Sequence, residues 1–142
     1  MYSHSVIIKA RRTPIGSFQG ELSSFSAVDL ASFVIKDIFK DRRISPDMVN
    51  EIILGNVLSA AQGQAPARQA ALKGGCVNLI EALTINKMCG SGLKAIMLAD
   101  QAIRCGDAEL VFAGGMESMS NAPHLLTNLR NGERLGHSTV ID

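Results

Sequence analysis

Short apolar runs without polar alternation recur along this chain, each separated from the next by a segment of helical periodicity, and that alternation restricts the fold more than any other feature. The runs are Val6-Ile7-Ile8, Glu51-Ile52-Ile53-Leu54, Leu83-Thr84-Ile85 and Glu109-Leu110-Val111-Phe112-Ala113, the last ending in Gly114-Gly115. A strand with one face in water shows a polar residue at every second position, whereas a strand covered on both faces does not. Four strands alternating with helices therefore predict an α/β class: a mostly parallel sheet with helices on both faces.

The helical segments carry their own boundary signals. Ser26 with Asp29 three residues on reads as a capping box, opening a helix whose apolar face is Leu30, Phe33, Val34 and Ile38 and which dissolves into Lys40-Asp41-Arg42-Arg43. Ser45-Pro46 marks a short helical turn. Pro66 and Gly74 frame residues 67–73 with the proline-in, glycine-out asymmetry of a helix. From about Gly90 to Cys105 the chain is apolar almost all round, with Lys94, Gln101 and Arg104 as a narrow polar stripe; this predicts a buried helix stopped by Gly106. After Ser118 the composition shifts to Asn, Gly, Pro, Ser and Arg with little periodicity. A structureless segment of that length is unusual inside a compact domain. We expect one α/β domain over residues 1–120 and, over 121–142, the start of a further segment whose remainder lies beyond this chain.

Composition narrows the function. With 142 residues, 46% of them hydrophobic, the chain can bury one ordinary core. A formal net charge of +1 with scattered Lys and Arg lacks the basic footprint of a nucleic-acid binder. The apolar runs fall far short of the roughly 20 residues that cross a membrane, and Met1-Tyr2-Ser3-His4-Ser5 lacks the charged start of a secretory signal. A cytoplasmic location is the expectation. Cys76, Cys89 and Cys105 are odd in number and match neither metal-ligand spacing nor a secreted disulfide framework, so they read as free thiols with no metal.

Among them Cys89 has the best claim to reactivity. It lies at a strand-to-helix junction, where unpaired N–H groups and the positive end of the helix dipole favour a thiolate. Gly90 and Gly92 would let a ligand approach the backbone, and Ser91 is placed to cap. Cys105 sits at the wrong end of the same helix, and Cys76 follows Gly74-Gly75 without an evident activator. The competing reading makes Cys89 a small buried hydrophobe, and the residues alone leave both open. Met88, Met116 and Met119 line an acyl pocket in one reading and fill core gaps in the other. Glu117 is expected to pair with a neighbour such as Arg68. His4, His124 and His137 read as solvated strand-end or loop residues, and Gly114-Gly115 has no GxGxxG to make it a nucleotide-binding turn.

Four segments together resemble one family. Asn86-Lys87-Met88-Cys89-Gly90-Ser91-Gly92-Leu93-Lys94-Ala95 resembles the active-site segment of the thiolases, whose cysteine accepts an acyl group from an acyl-CoA. Residues 12–18 (Arg12-Thr13-Pro14-Ile15-Gly16-Ser17-Phe18), 63–69 and 113–120 resemble further thiolase segments in the family's order and spacing. Gly115-Met116-Glu117-Ser118-Met119-Ser120-Asn121-Ala122-Pro123 is closest to the acetoacetyl-CoA type, acetyl-CoA C-acetyltransferase. The resemblance implies the first half of a two-half layered sandwich, with residues 121–142 opening the loop domain. It implies condensation of two acetyl-CoA to acetoacetyl-CoA, or the reverse thiolytic cleavage, through an acyl-cysteine at Cys89 whose backbone N–H stabilises the oxyanion. Coenzyme A thioesters would be substrates, with no permanently bound cofactor. The activating histidine and the second catalytic cysteine would come from a C-terminal half absent here, leaving this chain alone catalytically incomplete; the full-length form would be a dimer or tetramer. The alternative is a non-catalytic half-fold used for assembly. A ketoacyl synthase or hydroxymethylglutaryl-CoA synthase reading is opposed by the wording of residues 63–69 and 114–120.

Overall fold

The computed structural model describes residues 4–132 and 134–142; Met1, Tyr2, Ser3 and Glu133 lie outside them. Strand β1 (Glu51–Gly55) is central, flanked by β2 (Glu81–Ile85) and β3 (Val111–Gly115), in the order β2-β1-β3 with every pairing parallel. The register sets Ile53 beside Leu83 and Ala113, and Gly55 beside Ile85 and Gly115. Chain direction across the sheet reverses between the two crossovers. Because parallel crossovers are right-handed, the reversal sends their helices to opposite faces. Accordingly, α2 (Pro66–Gly74) packs on β1 and β2, while α3 (Ser91–Cys105) packs on β1 and β3. Alternate residues of β1 divide between them: Ile52 and Leu54 join Ala67, Ala70 and Ala71 of α2, and Gly55 lies against Ser91 at the start of α3. The expected class, a parallel sheet with helices on both faces, is the one observed.

Helix α1 (Ala27–Ile38) forms an outer layer on α2. Its capping box is present: Ser26 Oγ accepts from the Asp29 N–H at 3.1 Å and the Asp29 carboxylate accepts from the Ser26 N–H at 3.1 Å. The buried face, however, is Ala27, Val28, Ala31, Ser32 and Ile35; of the expected Leu30, Phe33, Val34 and Ile38 none is fully buried, though Ile38 packs against the core at its edge. The two helices meet along alanines. A Cβ on Gly74 would stand 2.5 Å from Ile35 Cγ2, so the position facing Ile35 admits only glycine. Phe33 turns outward and packs edge-on to Phe25 with centroids 5.2 Å apart. Helix α3 ends at Gly106 as expected, left-handed at φ 84°, whereas α2 runs one residue further than expected, through Gly74, and ends at the left-handed Gly75 at φ 102°.

Two further expectations fail. Val6-Ile7-Ile8 forms no strand and is 75%, 80% and 59% exposed. Strand propensity needs a ladder partner to be expressed, and this segment instead runs over the surface, tied by Ser5 to Asp100, Lys9 to Asp41 and Arg11 to Asp37. Nor is α3 buried all round: Ser91, Ala95 and Ala99 are buried, whereas Leu93, Ile96 and Met97 are exposed. One stripe meets the sheet, and no described element covers the other. The C-terminal segment is closed into a loop by reciprocal backbone hydrogen bonds between Leu125 and Ile141, at 2.8 and 2.9 Å.

The cap generates two predictions. Ser26→Ala should cost about 1 kcal/mol in urea unfolding, the usual loss for an N-cap side chain. Lys73, then Ser26, hold the Asp29 carboxyl down from 3.8 to about 2. A depressed folded-state value stabilises above the unfolded one, so this contribution is fully present above pH 3.8 and is lost as pH falls through about 2. Asp29→Asn should therefore lower the melting temperature at neutral pH, and the gap to the parent should close across that acidic window.

Candidate active site at the strand ends

Residues 86–90 carry the chain from β2 into α3 through a tight, pinned turn. Ser91 Oγ accepts from the Lys87 N–H at 2.8 Å and donates to the Met88 carbonyl at 2.6 Å. Asn86 Oδ1 accepts from the Met88 N–H at 3.0 Å. Ser91 thus fastens the turn and does not cap the helix; the N-cap is Gly90, which offers no side chain. Met88 adopts φ +48°, a left-handed backbone that costs an unbranched L-residue roughly 1 kcal/mol. Directly after it, Cys89 is exposed at the positive end of α3. Its backbone N–H makes no hydrogen bond among the described residues.

The helix reaches this position because Gly55 lets it. A Cβ there would stand 2.6 Å from Ser91 Cβ and 2.8 Å from the Gly92 nitrogen, distances real carbons do not adopt. By contrast, a Cβ on Gly90 would approach nothing nearer than the Lys87 oxygen at 3.4 Å, and one on Gly92 would make ordinary contacts at 3.7 Å. Packing within this chain therefore demands a bare Cα at Gly55, and not at Gly90 or Gly92.

A groove of about 510 Å³ opens here, with Val57 and Leu58 on one side, Met88, Cys89 and Ser91 on a second, and Met116, Glu117 and Met119 on a third. The methionines divide: Met116 belongs to the core and meets the groove from beneath, whereas Met88 and Met119 line it while 66% and 65% exposed. Glu117 does not meet Arg68. Its carboxylate accepts from Asn56 Nδ2 at 2.8 Å and from the N–H groups of Val57 at 2.9 Å and Leu58 at 3.1 Å. Arg68 donates to the carbonyls of Ile80 and Asn78, both at 2.8 Å.

Sequence reasoning passed over Gly55, Val57 and Leu58 and left Glu117 structural. The signal that finds them is topological: loops leaving the carboxyl ends of parallel strands converge on one edge of the sheet. A comparable concavity at the opposite edge is lined by Asp47, Glu51, Glu81 and Asp107. Burial first, then the neighbouring Glu81, push the Glu51 carboxyl above its usual value. That end suits neither a thiolate nor an anionic ligand. The other cysteines differ as expected: Cys105 is exposed at the negative end of α3, and burial pushes Cys76 up to about 11. His4, His124 and His137 are all exposed, away from this groove, and no cluster among the described residues is suited to a metal. No helix among them is long and apolar enough to cross a membrane.

The profile of the thiolase N-terminal domain matches residues 5–142. The chain belongs to the thiolase family. A probable acetyl-CoA acetyltransferase of Escherichia coli K12 is 54% identical over 137 residues, 96% of this thiolase chain and 35% of that protein. An acetyl-CoA acetyltransferase of Cupriavidus necator is 50% identical over the same shares. In structure, the Acat5 thiolase of Ascaris suum, solved in complex with coenzyme A, superposes with a TM-score of 0.85 at 42% identity, over 92% of this chain and 34% of that one. This thiolase chain thus spans about a third of the length of the relatives it matches.

Two outcomes follow for the thiolase site. Gly55→Ala should destabilise the fold by about 2 kcal/mol, the usual cost of overpacking, measured by urea unfolding, with Gly90→Ala far milder. Iodoacetamide near pH 8 should label Cys89 and Cys105 in the folded chain and leave Cys76 unmodified, read by peptide mass mapping.

Proposed function

We propose that this chain is the nucleophile-bearing part of an acetyl-CoA acetyltransferase, with Cys89 as the residue that accepts the acetyl group. The observation that carries the reading is the placement of Cys89, exposed on a groove at the start of a 15-residue helix with its own N–H unengaged. The Cys89 thiolate attacks the thioester carbonyl, a C–S bond forms, and coenzyme A leaves as a thiolate that takes up a proton. In the condensing direction a second acetyl-CoA loses an α-proton to a base. The resulting carbon nucleophile bonds to the acetyl carbonyl and expels the Cys89 thiolate; thiolytic cleavage runs the same steps backwards.

The helix end favours an anion by roughly 0.3–1 kcal/mol, whereas a single well-placed oxyanion donor contributes about 3 kcal/mol. The free Cys89 N–H is therefore the larger of the two effects. Met88 and Met119 supply an apolar wall for a short acyl chain, and Gly90 and Gly92 leave backbone open to the thioester. Among the described residues no histidine lines this groove, and the Glu117 carboxylate that does line it is engaged by Asn56, Val57 and Leu58 and so is not assigned as the base for the α-proton. In this reading the activating histidine and that base both come from the remaining two thirds of a full-length enzyme, to which residues 121–142 contribute the start of a loop domain. That enzyme would be cytoplasmic and dimeric or tetrameric, with a complete coenzyme A site. The exposed apolar stripe of Leu93, Ile96 and Met97 supports a docking face for the missing half, and by itself equally favours the alternative of a non-catalytic assembly module.

Intact-mass measurement after incubation with acetyl-CoA, and separately with acetoacetyl-CoA, distinguishes these readings. We expect a single acetyl adduct that disappears in Cys89→Ala. An adduct that survives the substitution would refute Cys89 as acceptor. Absence of any adduct, both alone and with a complementing C-terminal half, would favour the assembly module.

A further inference from the structure

We propose that Glu117 is a positioning residue for Cys89, acting through Val57 and Asn86; the functional significance rests on the reading of Cys89 as acyl acceptor. Glu117 is a half-buried carboxylate whose three hydrogen bonds all come from one stretch of three residues. Oε1 accepts from Asn56 Nδ2 and the Leu58 N–H, and Oε2 accepts from the Val57 N–H. Bonds to an ionised carboxylate are the stronger kind, and here they fix the loop that leaves β1. Asn56 completes the stitching. Its N–H donates to the Ile85 carbonyl at 3.0 Å and its Nδ2 also reaches the Met116 carbonyl at 3.3 Å, joining the ends of all three strands.

From that fixed loop the connection continues to the nucleophile. The Val57 carbonyl accepts a long, 3.5 Å hydrogen bond from Asn86 Nδ2, and Asn86 Oδ1 holds the Met88 N–H. Met88 is the left-handed residue immediately before Cys89. A strained conformer persists only where its surroundings hold it. Glu117, two residues past the end of β3, is the charged anchor of the polar chain that reaches this turn.

The sign of one measurement separates positioning from a through-space effect of charge. Removing a negative charge from the groove favours a nearby thiolate and would speed its alkylation; letting the turn slip would slow it. Glu117→Gln makes the finer cut, because it retains the Oε1 acceptor for Asn56 and Leu58 and loses only the bond from Val57. Asn86→Ala cuts the chain at its exposed end. Iodoacetamide rates for Cys89 are compared with those for Cys105 in the same sample between about pH 6 and 9, spanning the free-thiol range. Cys76 labelling reports unfolding.

We expect the Cys89 rate to fall about five-fold in each variant, the scale of one hydrogen bond, with Cys105 unchanged. The double variant should be no slower than either single one, and the Met88 amide should exchange faster in Glu117→Gln while those of α1 do not. A Cys89 rate that rises or stays the same in Glu117→Gln overturns the proposal. So do effects that multiply in the double variant, and so does Cys76 labelling in Glu117→Gln, which would assign Glu117 to overall stability. Acetylation by acetyl-CoA is read on the same samples. An unacetylated Cys89 whose alkylation still depends on Glu117 sinks the acyl-acceptor reading alone; an acetylated Cys89 indifferent to Glu117 sinks this one alone.

Discussion

The contact between Gly55 and Ser91 has no room for one added carbon, and the placement of everything around Cys89 follows from it. Gly55 ends the central strand, so whatever rests on it stands over the middle of the sheet's carboxyl edge. What rests on it is the first turn of α3. A helix start seated there presents its unpaired N–H groups where the loops leaving β1 and β3 converge. A larger residue at position 55 would lift the helix from the sheet and carry the Cys89 turn with it.

Around that contact, three chemically identical thiols become three different groups. Cys76 is shut in an apolar core that disfavours its ionised form. Cys105 shares a helix with Cys89 but faces the end whose carbonyls repel negative charge. Only Cys89 combines exposure, a helix start and a concave apolar surface. The two edges of the sheet are specialised in the same sense. One carries the groove with methionines, and the other gathers carboxylates that crowd one another.

The parts of this architecture legible in the sequence are those encoded by local chemistry. The capping box at Ser26, the proline that opens α2 and the glycines that end α2 and α3 act within a few residues of themselves. The position of Cys89, exposed at the start of α3, was legible for the same reason, since a strand-to-helix junction is a local signal. Partner choice was not. Whether Val6-Ile7-Ile8 becomes a strand depends on an edge to pair with, and which face of α1 is buried depends on the alanines of α2. Hydrophobic periodicity ranked Leu30 and Phe33 above Ala27 and Ala31, whereas close helix contact selected the small residues. Glu117 was misjudged because two of its three partners are backbone N–H groups 59 and 60 residues earlier and the third is the amide of Asn56, 61 residues earlier; backbone donors leave no mark in a pattern of side chains.

The left-handed backbone at Met88 limits how this segment can drift in evolution. A β-branched residue fits poorly at φ +48°, so valine and isoleucine are disfavoured there although the adjoining groove is apolar. Glycine and asparagine suit the backbone but offer the groove less apolar surface. Position 88 is thus filtered twice, by handedness and by hydrophobicity. Long, unbranched side chains are what pass both filters.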